Sequence, residues 1–582
     1  MTKFYKKNYP RPQFVRKDWT DLCGEWSFRF DDEKKGFSKG WHKGFDEGKI
    51  IVPFTYETKL SGIEDTTHHE CVWYSRKFAL DGECENLLLH FEGSDYRTTV
   101  WINGEQAGVH EGGYARFSFE ISQYLVQGEN TLAVRCEDST DRSIPRGKQR
   151  WMQENFGCWY VQTTGIWKPV WMENVSEMRL DWVKITPDYD GETVILEYNF
   201  NSCSKNAMLE TEVSFQGESI AFEALRVDEK SKKSVLDLNS GSAEWGVHKW
   251  SPETPDLYDI SFRIVENGQE KDFAGSYFGL RKIGIQGNKI LLNDTPIYQK
   301  LILDQGYWED SGLTPPSEEA LAEDIDKISE LGFNGLRKHQ KTEDERFLYW
   351  CDVKGMLVWS ETPAAYVFSD QAVLQFTREW QEILLQNYNH PSVIVWTPFN
   401  ESWGVPHIKT DVKQQDFVTG IYYLTKAMDK MRPVITNDGW EHTCSDIITI
   451  HDYEQCGDKL ADILGCSDTL LGSENPKPGG KAAFADGWGY QGQPVIISEY
   501  GGIAIEDQGE GWGYGNRVCD EKELIARYDA LTKAITGRDY ICGYCYTQVT
   551  DVEQEVNGLM DMKRNFKCDP KKIYDINNRE CI

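Results

Sequence analysis

Two glutamates stand directly after short apolar runs, Glu401 in VIVWTPFNESWG and Glu499 in PVIISEYGG. A carboxyl group at the end of an apolar strand can be an acid, a base, a nucleophile or simply a loop anchor, and either residue alone fits all of these. A facing pair narrows the choice. Two carboxyl groups about 5–5.5 Å apart perform glycoside hydrolysis with retention, one attacking the anomeric carbon while the other protonates the leaving oxygen and later deprotonates water. This chemistry needs a scaffold that brings two distant stretches of chain face to face.

The second half of the sequence supplies one. From about residue 282, short strand candidates alternate with helical stretches: 297–303, 333–337, 356–360, 393–397, 433–436, 447–450, 495–498 and 541–546. The clearest helix lies in PPSEEALAEDIDKISELG, where Ser317 caps the start, Glu318 and Glu319 suit the positive end, and Gly332 closes it. Leu321, Ile325, Ile328 and Leu331 fall three or four apart on one face. Such alternation predicts a (β/α)₈ TIM barrel over 282–582, whose catalytic groups sit at the C-terminal strand ends. Glu401 follows the fourth strand and Glu499 the seventh, so both belong to the barrel mouth.

Upstream, 1–178 reads as a jelly-roll β-sandwich and 179–281 as an immunoglobulin-like β-sandwich, both built of short alternating strands separated by Gly, Asn and Pro. The sequence is therefore multidomain, as its 582 residues suggest. A formal charge of −31 argues against nucleic acid and anionic membranes as partners. The N-terminus has no apolar core of a signal peptide, no run is long enough to span a bilayer, and the 15 cysteines are scattered, which together favour a cytoplasmic protein. Cys542 and Cys545 mimic a redox pair but lie inside an apolar strand, where filling the core is the better reading. No paired ligand spacing suggests zinc, and neither metal nor cofactor is expected.

The stretches NHPSVIVWTPFNESWG and PVIISEYGG resemble the acid/base and nucleophile signatures of glycoside hydrolase family 2, which contains β-galactosidases, β-glucuronidases and β-mannosidases. VWINGEQAGVHEGGYARFSFEIS and TTGIWKPVWME resemble its sugar-binding sandwich, and LGFNGLRKH its second barrel strand, so the likeness spans nearly the whole chain. The resemblance implies Glu401 as acid/base and Glu499 as nucleophile. It implies Asn400 as partner of the sugar 2-hydroxyl, Tyr453 beside the nucleophile, His451 and Asp452 as sugar-hydroxyl partners, and Arg337 beneath Glu499. Glu401 must begin protonated, and burial beside an ionised Glu499 is expected to raise its pKa.

The pattern also departs from the family. Arg337 is followed by Lys338, His339, Gln340, Lys341 and Thr342, where relatives usually carry Arg, two residues, His, one residue and Pro; Gln340 aligns with that His, and His339 comes one place early. The first strand ends in LILDQGYWED in place of an Asn-Arg-His-Glu run, which makes Asp304, Gln305 and Trp308 candidates for an altered sugar subsite. The Asn-x-Lys carboxylate clamp of β-glucuronidases is missing after the eighth strand, disfavouring a glucuronide unless Lys338 or Lys341 substitutes. Tyr546 and Trp359 are candidate pocket walls.

The expected activity is a retaining exo-β-glycosidase, with a β-galactoside as first choice. A furanosidase acting on β-galactofuranoside or α-L-arabinofuranoside, a transglycosylase, an endo-acting enzyme and a non-catalytic carbohydrate-binding relative are the alternatives. Loops 457–492 and 502–517 are expected either to close a pocket or to serve a homo-oligomer.

Overall fold

The computed structural model describes residues 1–80, 85–239, 246–472, 481–506 and 510–579. Alternating apolar residues fold the first part into a six-stranded and a four-stranded antiparallel sheet. The sheets close over a core that includes Trp26, Tyr74, Leu89, Val100, Leu132 and Val134. Asn103 and Gly104, with φ of 52° and 86°, turn strand Arg97–Ile102 into Glu105–Glu111, the left-handed conformations that a tight hairpin demands. A second sandwich, with sheets of three and four strands running from Leu180–Asp188 to Gln269–Phe278, packs around Leu196, Tyr198, Leu209 and Phe262.

The remainder is a TIM barrel. Its strands are Gln299–Asp304, Gly335–Lys338, Leu357–Glu361, Val393–Thr397, Asn437–Asp438, Ile448–His451, Val495–Gly501 and Ile541–Thr547. Seven form one parallel sheet, curling from the fourth through the third, second, first, eighth and seventh to the sixth. The fifth differs from expectation. At 433–436 there is only a bridge between Trp396 and Val434, followed by a two-residue pairing of Phe399–Asn400 with Asn437–Asp438. Pro433 has no amide hydrogen to give. The amides of Val434 and Thr436 donate to Asp446 Oδ2 at 2.9 Å and Ser445 Oγ at 3.0 Å, so side chains take the bonds a sixth strand would accept.

Strand parity sorts the side chains into two cores. Leu301, Leu303, Leu357, Trp359, Val395, Ile496 and Cys545 cluster inside the barrel with Ile283, Ile290 and Leu292 of a small hairpin. Ile302, Leu336, Val358, Trp396, Ile497, Tyr544 and Tyr546 belong to the larger core shared with the helices. The helix Glu318–Glu330 buries Leu321, Ile325 and Ile328, and Ser317 accepts a bond from Ala320 N as its cap. Cys542 and Cys545 are buried free thiols. Among the described residues no helix is long and apolar enough to cross a membrane. Within the first of the two long loops, helices Gly457–Leu464 and Ser467–Leu471 form; 473–480 in that loop and 507–509 in the second lie outside the described residues.

Candidate active site

The fourth strand and the short pairing beyond it end at Asn400 and aim Glu401 through an unusual backbone. Glu401 and Ser402 both have positive φ, 54° and 59°, conformations that cost energy without glycine and persist only when neighbours enforce them. Here Glu401 N donates to Asp438 O at 2.9 Å, and Ser402 N to Asn437 Oδ1 at 2.9 Å. The irregular fifth strand thus orients Glu401.

Glu499, on the seventh strand, is reached from three directions. Arg337 Nη1 donates to its Oε1 at 3.1 Å, Tyr453 Oη to its Oε2 at 2.6 Å, and His451 Nδ1 lies 3.3 Å from Oε2. Tyr453 is itself fixed, with Thr547 Oγ1 at 3.1 Å and the ring of Tyr514 stacked on its face, centroids 3.4 Å apart. One carboxylate oxygen each of Glu401 and Glu499, with a His451 ring nitrogen, all fall within 4.8 Å of one another. Arg337 is wholly buried and also serves Glu361 at 2.7 Å, Asp438 at 2.6 Å and Asn400 Oδ1 at 3.1 Å. These anions hold its guanidinium charged against the cost of burial.

The sandwich contributes a roof. Residues 146–161 are tied on one side to the loops after the seventh and eighth strands: Trp512 Nε1 of the former and Gln554 Nε2 of the latter both donate to Gly157 O at 2.9 Å, and Tyr160 Oη donates to Glu555. On the other side they meet the loops after the third and fourth strands. Arg146 and Gly147 donate to Ala364 O, Tyr366 Oη donates to Gly147 O, and the Trp159 ring lies 5.5 Å from Tyr366 and 5.4 Å from Trp403. The segment therefore crosses the barrel mouth. Lys148 and Cys158 hang from it, bonded to each other at 3.3 Å.

Three family models match this chain in order: glycosyl hydrolases family 2, sugar binding domain, over 19–153, glycosyl hydrolases family 2 over 178–281, and glycosyl hydrolases family 2, TIM barrel domain, over 283–556. The chain belongs to glycosyl hydrolase family 2. Among curated relatives, a putative β-glucuronidase of Formosa agariphila is 26% identical over 62% of this chain and 44% of its own length. A β-galactosidase of Thermoanaerobacter pseudethanolicus is 25% identical over 62% and 48%; the chain spans about half the length of these two. The β-glucuronidase of Canis lupus familiaris is 25% identical over 76% and 73%. Solved structures of similar fold include the β-glucuronidase of Ruminococcus gnavus, with a TM-score of 0.79 at 18% identity, covering 99% of this chain and all of that one. The β-galacturonidase of Eisenbergiella tayi bound to glycerol gives 0.74 at 21%, covering 99% and 98%.

In this family 2 chain the residues singled out from sequence separate into two groups. Glu401, Glu499, Asn400, Arg337, Tyr453 and His451 converge at the mouth. His339 and Gln340 stand beside them: His339 Nδ1 is 3.0 Å from Glu361 Oε2, and Gln340 Oε1 accepts from Tyr366 Oη at 3.2 Å. Asp452 lies one step away, its amide on Glu499 O at 3.0 Å. The rest lie elsewhere. Asp304 alternates outward from Leu303 and pairs with Lys338. Lys338 also bonds Glu343 at 3.1 Å, and Lys341 bonds Glu343 at 2.7 Å, so neither lysine is available as a carboxylate partner. Trp308 packs under the Arg564 guanidinium, 3.6 Å from its ring centroid. Tyr546 faces the helices, against Tyr500 and Tyr528. Trp359 lies in the barrel interior, bonded to Gln299 Oε1 at 2.8 Å.

One electrostatic expectation is overturned. Burial would raise Glu401, but the hydrogen bond and charge of His451, aided by Lys148 and His339, hold it below the usual carboxylate range. Both ring nitrogens of His451 are taken by carboxylates, with Nε2 2.9 Å from Asp438, so the imidazole is not placed as a simple sugar-hydroxyl partner. Reading the sequence missed Glu361, Asp438, Tyr514, Lys148 and Tyr366. Glu361 carried a usable signal: it too ends an apolar strand, VWSE.

Proposed function

We propose that this chain is a retaining exo-β-glycosidase working through a glycosyl-enzyme intermediate. The carboxylates of Glu401 and Glu499, with oxygens within 4.8 Å of each other across the fourth and seventh strands, carry this reading, because their spacing suits a pair without room for an intervening water. Glu499 attacks the anomeric carbon while Glu401 gives a proton to the departing oxygen. Glu401 then takes a proton from water, which displaces Glu499 and retains the configuration. Arg337 and Tyr453 fix the attacking carboxylate, which spares it reorganisation in the transition state.

Two further observations support this reading. Asn400 Nδ2, Gln340 Nε2 and Trp403 Nε1 are buried donors with no acceptor among the described residues, a pattern that suits a polyhydroxylated ligand. The roof of residues 146–161 over the mouth favours a pocket, and hence release of terminal sugars, over an open cleft.

For the sugar, a β-galactoside is the first reading, and the likeness to the Thermoanaerobacter β-galactosidase supports it. Lys148 favours a second, a β-linked uronic acid. The residue is 8% exposed, and its ammonium makes no ion pair among the described residues and finds only the Cys158 thiol directly. A buried cation of this kind gains most from an anionic ligand. The relatives and structures named as β-glucuronidases and a β-galacturonidase are in keeping with that reading.

The test is hydrolysis of 4-nitrophenyl β-galactoside, β-glucuronide, β-galacturonide, β-mannoside and the two furanosides, with a 2-fluoro derivative of the best sugar as a trap. Peptide mapping should find the sugar on Glu499. A label on another residue, or inversion of configuration in the product, would refute the mechanism.

A further inference from the structure

The depressed carboxyl of Glu401 leaves an acid catalyst without an evident proton, and the geometry around His451 supplies one. The imidazole is 1% exposed and touches three carboxylates: Glu401 Oε1 at 2.9 Å and Glu499 Oε2 at 3.3 Å from Nδ1, and Asp438 Oδ2 at 2.9 Å from Nε2. Trp440 packs edge-on, ring centroids 5.4 Å apart. Gly439 lies flat against the ring, where even a Cβ would come within 2.7 Å of it. The ring therefore has one orientation, with Nδ1 towards the catalytic pair.

We propose that His451 is the proton store of the acid/base residue. It holds the proton on Nδ1 in the free enzyme, passes it to Glu401 as the leaving oxygen arrives, and takes it back after Glu401 has deprotonated water. This inference rests on reading Glu401 and Glu499 as acid/base and nucleophile.

The steps balance. In the first, the Nδ1 proton moves to Glu401 Oε1 and from Glu401 to the glycosidic oxygen. The bond from anomeric carbon to leaving oxygen breaks, its electrons stay on that oxygen, and Glu499 forms the new bond to carbon. The leaving group departs as an alcohol and His451 is neutral. In the second, water oxygen bonds to the anomeric carbon and the Glu499 ester bond breaks, returning its electrons to the carboxylate. The water proton passes through Glu401 back to Nδ1. Asp438 accepts from Nε2 throughout, so the neutral ring is the Nε2–H tautomer with the Nδ1 lone pair facing Glu401.

The charges facing the ring agree with this cycle. Glu401 comes from the fourth strand, Asp438 from the fifth and Glu499 from the seventh. Arg337 of the second strand stands behind Asp438, followed by Glu361 and His339, and Lys148 of the roof acts through Glu401. Burial would lower the imidazole, but Glu499 and Asp438 push it up to about 10. Conversion of Glu499 to an ester removes one of those anions, so the ring loses its hold on a proton at the stage when the proton is elsewhere.

The test compares the wild-type chain with His451→Gln on aryl glycosides of the best sugar. With a poor leaving group such as phenoxide, kcat/KM should fall about 100-fold or more. With 2,4-dinitrophenoxide, which needs little protonation, it should fall less than about 10-fold. The alkaline limb of the pH profile should move about two units towards acid. A uniform loss with an unmoved alkaline limb would overturn the proposal and leave His451 a structural residue. Nitrogen-15 spectra of the wild-type imidazole form an independent arm that needs no folded variant. The ring should be a cation in the free enzyme near neutral pH and neutral in the 2-fluoroglycosyl-enzyme. A neutral ring in the free enzyme, whether or not a sugar is turned over, would also overturn it, whereas absent labelling of Glu499 beside a cationic ring would instead count against the glycosidase reading.

Discussion

Arg337 and Glu499 are joined at 3.1 Å, and the same guanidinium reaches Asn400 Oδ1 at 3.1 Å. Glu499 and the amide beside Glu401 are therefore registered to one rigid group. Lysine carries the charge without the planar fork. Arg337→Lys is expected to lower kcat about 100-fold or more, with a smaller change in KM, and to slow labelling of Glu499 by a 2-fluoro sugar in proportion. Labelling kinetics on the folded variant check this.

Glu499→Gln should reduce turnover about 10⁴-fold or more, since an amide cannot form the ester. Glu401→Ala should spare the first step for 2,4-dinitrophenyl glycosides and stall the second. Azide should then restore turnover and give the β-glycosyl azide, identifiable by NMR. An α-azide, or no rescue, would mean that the two roles are assigned wrongly.

The hydroxyl of Tyr453 donates to Glu499 at 2.6 Å and, in the proposed mechanism, orients it for attack. Tyr453→Phe should lower kcat about 10- to 1,000-fold while Glu499 is still labelled. Tyr514→Ala, which removes the ring stacked behind Tyr453, should cause a smaller loss of the same kind, read in single-turnover kinetics.

Glu57 offers a test of stability away from the site. Burial pushes its carboxyl up to about 8; one oxygen accepts from Thr164 N at 3.0 Å and the other has no partner among the described residues. In the unfolded chain the group loses its proton near 4.5, so the folded state binds more protons between 4.5 and about 8. Stability from this group is thus complete below 4.5 and falls as pH rises to about 8, by about a few kcal/mol in all. Glu57→Gln should raise the melting temperature at pH about 9 and leave it unchanged at pH about 4. Calorimetry at the two pH values decides it.

The barrel and its glutamate pair were legible because both rest on local signals: a run of apolar residues, its end, and the residue that follows. Strand five was not, because Val434 and Thr436 give their amides to Asp446 and Ser445, and nothing in the run PVIT announces that. Parity misplaced others. Tyr546 is adjacent in sequence to the interior Cys545 yet points to the helices, and Asp304 turns away from the mouth for the same reason. Lys148 and Tyr366 were beyond reach, since neither lies on a barrel strand and only the folded chain brings Lys148 near Glu401 and Tyr366 against Gln340 and the roof. The protonation of Glu401 was misjudged because its partner of first importance, His451, was read as facing the sugar.

The roof has a consequence for inheritance. In the proposed mechanism the reacting groups, Glu401, Glu499 and their supports, belong to the barrel, whereas Lys148, Cys158 and Trp159 come from the first sandwich. Exchanging the first sandwich between related chains would replace the ceiling above an unaltered reaction centre. What such an enzyme accepts and how it cleaves can then diversify independently, so a barrel-based family tree need not sort its members by substrate.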